Sequence, residues 1–281
     1  MTLFVFLTVL CAAVLHASWN ALVKGSSDKA LGVTAVVAGH VPPALLVLYI
    51  VPAPLPASWP YIAAGAVLHS GYQLFLMNAY RFGDLTQVYP IARGVAPLIV
   101  TMVSIAFLGV VLAPLQLTAI ALIAIGIMSL TLVRRADGLR NPRAATLAIA
   151  AGCFIASYSL VDGLGARLSG DSWAFYAWLT MLNAALMIPI MSIASPGIAS
   201  RLLSDGRRLM AIGGTASFIA YSLVTWAFTQ APIALVTALR ETSIIFALLI
   251  GVLYLKERLD LAKVISTVVT LAGAALLRLA R

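Results

Sequence analysis

The chain has 281 residues, 62% of them hydrophobic and 10% charged, with a mean hydropathy of +1.05 and a net charge of +9. A soluble domain carries about 25% charged residues, so a water-soluble enzyme or binding module is excluded. The basic residues sit in short connections between apolar runs, the pattern of a membrane orientation signal and not of a nucleic-acid interface.

Apolar runs near the length needed to cross a hydrocarbon core of about 30 Å recur from end to end. They predict ten helices, over 3–24, 30–51, 58–81, 84–107, 114–133, 144–166, 171–193, 206–229, 232–254 and 260–279. The first run lacks a basic flank and a small-residue cleavage site, so it reads as a span and not as a removable leader. Turn chemistry separates the runs: "GSSDK" after the first, "VPAPLPAS" after the second, "RRADGLRNPR" after the fifth and "LKERLD" after the ninth. Cys11 and Cys153 fall inside spans and read as small packing residues, not as a disulfide.

Thirteen of the eighteen Lys and Arg lie in the connections after spans one, three, five, seven and nine. Three lie on the opposite side, and Arg93 and Arg240 lie within spans. This asymmetry predicts that both termini lie on the non-cytoplasmic side.

The longest basic connection falls near the midpoint, and the halves resemble each other. "ASWNALVKG" (17–25) recurs as "ASYSLVDG" (156–163) with one gap, and a shift of 148 residues lays spans three to five over eight to ten. Five spans per unit is an odd number, so the second copy must enter the membrane inverted. The expected fold is an all-α membrane protein of ten transmembrane helices in two inverted five-helix repeats, 1–137 and 138–281. Such repeats are the architecture of secondary transporters, with the substrate site near mid-membrane at their interface.

The fourth span contains "YPIARGVAP", a permanent cation between two prolines. The 148 shift lays Arg93 over Glu241, and Arg240 is its neighbour, so three deep charges fall at equivalent places in the two halves. Charge at that depth costs several kcal/mol and is placed toward a bundle interior, paired or functional. Together the three sum to +1 with Glu241 ionised, which suits an anionic group, and Glu241 reads as the one carboxylate placed for proton exchange. Pro90, Gly94 and Pro97 predict a bend at Arg93; the ninth span, without prolines after Pro232, should be straighter.

Polar residues at helical spacing mark further inward faces. These are His16, Trp19 and Asn20 in the first span, His69, Tyr72, Gln73 and Tyr80 in the third, and Tyr89 beside Arg93. Tyr221, Thr225 and Thr229 mark the eighth, and Trp173, Tyr176, Thr180 and Asn183 the seventh. Of these, His16, Trp19, Asn20, Tyr72, Gln73, Tyr89 and Tyr221 join Arg93, Arg240 and Glu241 as the candidate substrate site. His69 reads equally as cavity or core. Thr180, Asn183, Thr225 and Thr229 read equally as interhelical hydrogen bonds, Trp173 reads as an interfacial anchor, and His40 as structural. No HExxH, CxxC, GxSxG or phosphate-binding glycine loop occurs, and the three histidines have no metal-ligand spacing. An enzyme, a cofactor and a metal site are therefore not expected.

Ten spans in two inverted halves, "ASWNALVKG" and "LLIGVLYLKERL" (248–259) resemble the EamA family of the drug/metabolite transporter superfamily over essentially the whole chain. The strongest local element is Glu257, preceded here by Lys256 where many relatives have glycine; Gly109 stands where the 148 shift would place its counterpart. The resemblance implies an exporter of a small polar metabolite. Alternatives are a lipid-linked carrier of the same superfamily and a non-transporting scaffold, which predicts a filled interior. The substrate, the coupling ion and the oligomeric state are not specified by these residues.

Overall fold

The computed structural model describes residues 1–24, 28–82, 85–129, 142–253 and 261–280, with only the backbone described for Lys24, Tyr80, Arg81, residues 85–87, Tyr89, Ala262 and Lys263. Among these, all regular structure is helical. The helices are α1 (Leu3–Lys24), α2 (Lys29–Gly39), α3 (Val41–Ile50), α4 (Trp59–Phe82), α5 (Leu85–Leu108), α6 (Pro114–Ser129) and α7 (Pro142–Leu168). After them come α8 (Ser172–Ala194), α9 (Ile198–Leu203), α10 (Thr215–Gln230), α11 (Ile233–Arg240), α12 (Ser243–Leu253) and α13 (Leu261–Leu279). A 3-10 turn (Pro56–Ser58) precedes α4 and a π-helical stretch (Leu209–Gly214) leads into α10.

Among the described residues, seven segments are long and apolar enough to cross a membrane: Leu3–Val23, Lys29–Ile50, Pro90–Leu108, Pro142–Leu168, Ser172–Ala194, Leu209–Gln230 and Ile233–Leu253. Two shorter apolar helices, Pro114–Ser129 and Val264–Leu279, accompany them. Large side chains such as Phe4, Phe107, Val111 and Ile193 stand exposed on the outside of the bundle, which water would penalise and lipid does not. The chain is an integral membrane protein.

The expected count of ten continuous helices is not what the described residues form. The second expected helix is two, α2 and α3, divided at His40. The His40 N–H bonds to Val37 O at 3.2 Å, and Pro42 and Pro43 follow, which can start a helix but not continue one. His40 packs between Tyr176 and Phe218, in keeping with its structural reading. The ninth is also two, α11 and α12, and α9 is an added short helix.

Helix α5 is continuous through Pro90 and Pro97, and Thr101 Oγ1 donates to Pro97 O at 2.7 Å. Gly94 serves packing: a Cβ there would lie 2.4 Å from Met128 Cγ of α6. The interruption falls instead at Glu241 and Thr242, in the span expected to be straighter. There the N–H groups of Glu241, Thr242, Ile244 and Ile245 bond three residues back, to Ala238, Leu239, Glu241 and Thr242, so the helix tightens and changes register between α11 and α12.

Packing crosses the midpoint of the chain. Helix α4 lies on α7 and α8 while α10, with its π-helical lead, lies on α1 and α2; α5 lies on α7 while α11 and α12 lie on α1; α6 lies on α13. The contacts are made by small residues. Ala12, Ala96, Ala151, Ala227 and Ala234 are buried in the main core, and a Cβ on Gly126 would meet Thr270 Oγ1 at 2.5 Å. Small side chains let helix backbones approach closely where lipid supplies no hydrophobic drive to hold them. Gly109, at φ +63°, ends α5 as a left-handed residue with Val110 N–H bonded to Ser104 O. That turn accounts for glycine where the repeat alignment would put a glutamate. Glu257 and Lys256 lie outside the described residues.

Candidate functional site

The register change between α11 and α12 puts two consecutive charged residues to use in different directions. Arg240 and Glu241 are 3% and 1% exposed, and Arg93 on α5 is 3% exposed. Glu241 Oε2 lies 2.5 Å from Arg93 Nε and its Oε1 lies 3.4 Å from Arg240 Nη2, so both carboxylate oxygens face guanidinium groups. Arg93 Nη2 donates to Ser243 Oγ, the first residue of α12, at 3.0 Å. An ion pair this deep holds only where charge and hydrogen bonding are matched.

Arg240 reaches past Glu241 toward two rings. Its guanidinium carbon is 5.9 Å from the ring centre of Tyr158 on α7 and 5.7 Å from that of Tyr221 on α10, within the range of a cation–π contact. Tyr221 then donates its hydroxyl to Asp162 Oδ2 at 2.7 Å. His69 Nε2 lies 2.8 Å from the same oxygen, and its ring stacks on Tyr158 at 4.1 Å. Tyr72 meets Tyr158 edge-on at 5.7 Å. One continuous network therefore joins Ser243, Arg93, Glu241, Arg240, the two tyrosines, Asp162 and His69, using side chains from α4, α5, α7, α10, α11 and α12.

The sequence-predicted residues sort into three groups. Arg93, Arg240, Glu241 and Tyr221 are in the network, and Tyr72 borders it. His16 on α1 is half-buried and within electrostatic reach of Arg93 and Arg240. Its ring meets Trp19 edge-on at 5.1 Å, and Asn20 turns back to donate to His16 O at 2.8 Å. Gln73 faces elsewhere: its side-chain amide lies 3.4 Å from that of Asn183 on α8, and Asn183 also donates to Ser70 Oγ at 2.9 Å. The Tyr89 side chain lies outside the described residues.

Three members were missed: Ser243 at the start of α12, and the pair Tyr158 and Asp162 on α7. The pair stands in "ASYSLVDG", which was read for its repeat alone; four apart on one helix, the two share a face. Asp162 is fully buried, so Glu241 is not the only carboxylate inside the bundle. The charge sum also changes. Arg93, Arg240, Glu241 and Asp162 total zero with both carboxylates ionised and His69 neutral, not +1.

A cleft of about 500 Å³ opens at one end of the bundle, lined among others by Arg167, Asp171, Trp173, Trp226 and Gln230. There Arg167 donates to Phe228 O and Ala231 O, both at 2.8 Å, covering carbonyls at the end of α10. Asp171 caps α8 by accepting from the N–H groups of Trp173 and Ala174.

Residues 142–279, nearly the whole second half, match the family described as EamA-like transporter family. No curated protein matches the sequence. A solved structure described only as a crystal structure of a protein is similar over 100% of this chain and 99% of its own, with 20% identity and a TM-score of 0.78; at that identity the likeness is one of fold. Residues 142–279 of the chain belong to the EamA-like transporter family, within the drug/metabolite transporter superfamily.

Proposed function

We propose that the protein is a secondary transporter of the inner membrane that exports a small polar metabolite bearing an anionic group. Ten spans, counting α2 with α3 and α11 with α12 as one each, form two inverted five-helix repeats, 1–137 and 138–281. The packing supports that reading, because α4 on α7 has its counterpart in α10 on α1, and α5 on α7 in α11 and α12 on α1. The two repeats rock about the network they share, and both termini lie on the non-cytoplasmic side.

The observation that carries the proposal is two guanidinium groups converging on one glutamate at the junction of the halves. Structural pairing alone calls for one cation per carboxylate. The second arginine, seated on two tyrosine rings and aimed at no hydrogen-bonded carboxylate of its own beyond a 3.4 Å approach, is the group that receives the substrate's anion when the halves part. A scaffold leaves a second cation on this one carboxylate without a reason.

Thermal unfolding of the purified protein against a panel of amino acids, organic acids and phosphonates tests this. Stabilisation by anionic members, lost in Arg240→Met, is expected. Stabilisation by none of them, or by cations alone, contradicts it.

A further inference from the structure

Asp162 is not explained by an anion site. It adds a negative charge beside the arginines, it is fully buried, and the permanent cations are engaged elsewhere. Its Oδ2 faces His69 Nε2 at 2.8 Å and the Tyr221 hydroxyl at 2.7 Å. Its Oδ1 is enclosed without a partner among the described residues. That oxygen lies against Gly65, where a Cβ would come within 2.6 Å of it. A buried acceptor with no donor calls for a reason, and a carboxyl that is neutral for part of a cycle supplies one. The fold does not demand a carboxylate here: aligning "ASWNALVKG" with "ASYSLVDG" sets Lys24 opposite Asp162.

The groups facing Asp162 can be taken element by element. They are His69 from α4, Tyr158 on α7 itself, Tyr176 from α8 and Tyr221 from α10. Arg240 from α11, Arg93 from α5 and Glu241 lie one shell further, beyond the tyrosine rings. His69 is the member with access, its side chain 13% exposed against none for Asp162. The geometry is a partly exposed histidine against a fully buried carboxylate.

We infer that the Asp162–His69 pair, and not Glu241, binds the proton that is coupled to transport. This rests on the transporter reading above. An incoming proton bonds to the free ring nitrogen of His69, the Nε2–H bond breaks, and that proton forms the O–H bond on Asp162 Oδ2, leaving a neutral imidazole and a neutral carboxyl. The charge of the centre rises from zero to +1, so a proton on the pair favours an anion at Arg240, and by reciprocity an anion there favours the proton. The two bind together and move together, in the direction their summed gradients set. Glu241 cannot serve in this way while both its oxygens face guanidinium groups.

The test needs no substrate and so stands apart from the transport question. The probe is the proton itself, followed by infrared difference spectroscopy on the purified, lipid-reconstituted protein titrated between about pH 4 and pH 9, the range that brackets histidine and perturbed carboxyl groups. A protonated-carboxyl band should appear on acidification in the native chain and in E241Q, and be missing in D162N, an isosteric change that keeps the shape of the site. H69Q should keep the band and move its midpoint by about one pH unit or more, the size of a lost neighbour. Persistence of the band in D162N overturns the inference. So does its absence from the native chain, or an unmoved midpoint in H69Q.

Discussion

Removing Glu241 should be the most damaging single change in the network, and the structure says by how much more than removing Arg93. Glu241→Leu leaves Arg93 and Arg240 facing one another, both at 3% exposure or less and with their shared counter-ion gone. Arg93→Leu leaves Glu241 with Arg240 still 3.4 Å away. Breaking a buried pair costs about 3–5 kcal/mol. Arg93→Leu belongs near about 3 kcal/mol because a second cation remains, and Glu241→Leu at about 5 kcal/mol or more because two charges are orphaned. The double variant keeps only Arg240, whose contacts with the Tyr158 and Tyr221 rings are each worth up to about 2 kcal/mol when dry, so it should be more stable than Glu241→Leu alone. Unfolding of the four proteins in mixed micelles, followed by tryptophan fluorescence and closed as a double-mutant cycle, measures the coupling. A coupling near zero, or Arg93→Leu costing more than Glu241→Leu, would refute the reasoning.

Four further outcomes follow from other parts of the molecule. Asp28 caps α2 by accepting from Leu31 N–H, which with Arg201 2.9 Å away holds its carboxyl below the usual value of 3.8. Its stabilisation is therefore present above that value and lost as pH falls through the folded one, so Asp28→Ala should cost about 1 kcal/mol near neutral pH, with the gap from the native chain closing in acid unfolding titrations. Gly126→Leu should cost about 1–3 kcal/mol through overpacking, since its Cβ would also meet Thr270 N at 2.9 Å, a backbone atom that cannot step aside; thermal unfolding reads it. Arg167→Ala exposes the Phe228 and Ala231 carbonyls it now covers and should lower stability by about 1–3 kcal/mol in the same assay. A reporter fused after Arg281 should be active only in a form that works outside the cytoplasm; activity of a cytoplasmic reporter would overturn the topology.

What could be read from the residues, and what could not, divides along physical lines. Membrane class and helix positions depend on hydropathy over some twenty residues, a sum that single contacts barely alter, and the predicted runs fall on helices, the second and the ninth each divided in two. The pairing of Arg93 with Glu241 was legible because the repeat shift laid one over the other. The interruptions were not. The prolines in "YPIARGVAP" lie inside one continuous helix, α5, and Gly94 is used for packing against α6. The register change at Glu241 has no sequence signature; it is fixed by where two arginines must reach. Asp162 lies four residues from the end of its predicted span at 166, about 6 Å along the helix, where a charge ordinarily meets water. Only the tertiary packing of His69 and Tyr221 encloses it.

The central claim is that the buried charges recognise the substrate and do more than hold the bundle together. The direct measurement is uptake into proteoliposomes, by the native protein and by the Arg93→Leu, Glu241→Leu double variant, of whichever anion stabilises the native protein. The variant should reconstitute as a folded protein, its remaining cation on the tyrosine rings, and transport should fall to the level of empty vesicles. Transport by the variant at the native rate would show that the charges are structural and that the substrate is held elsewhere.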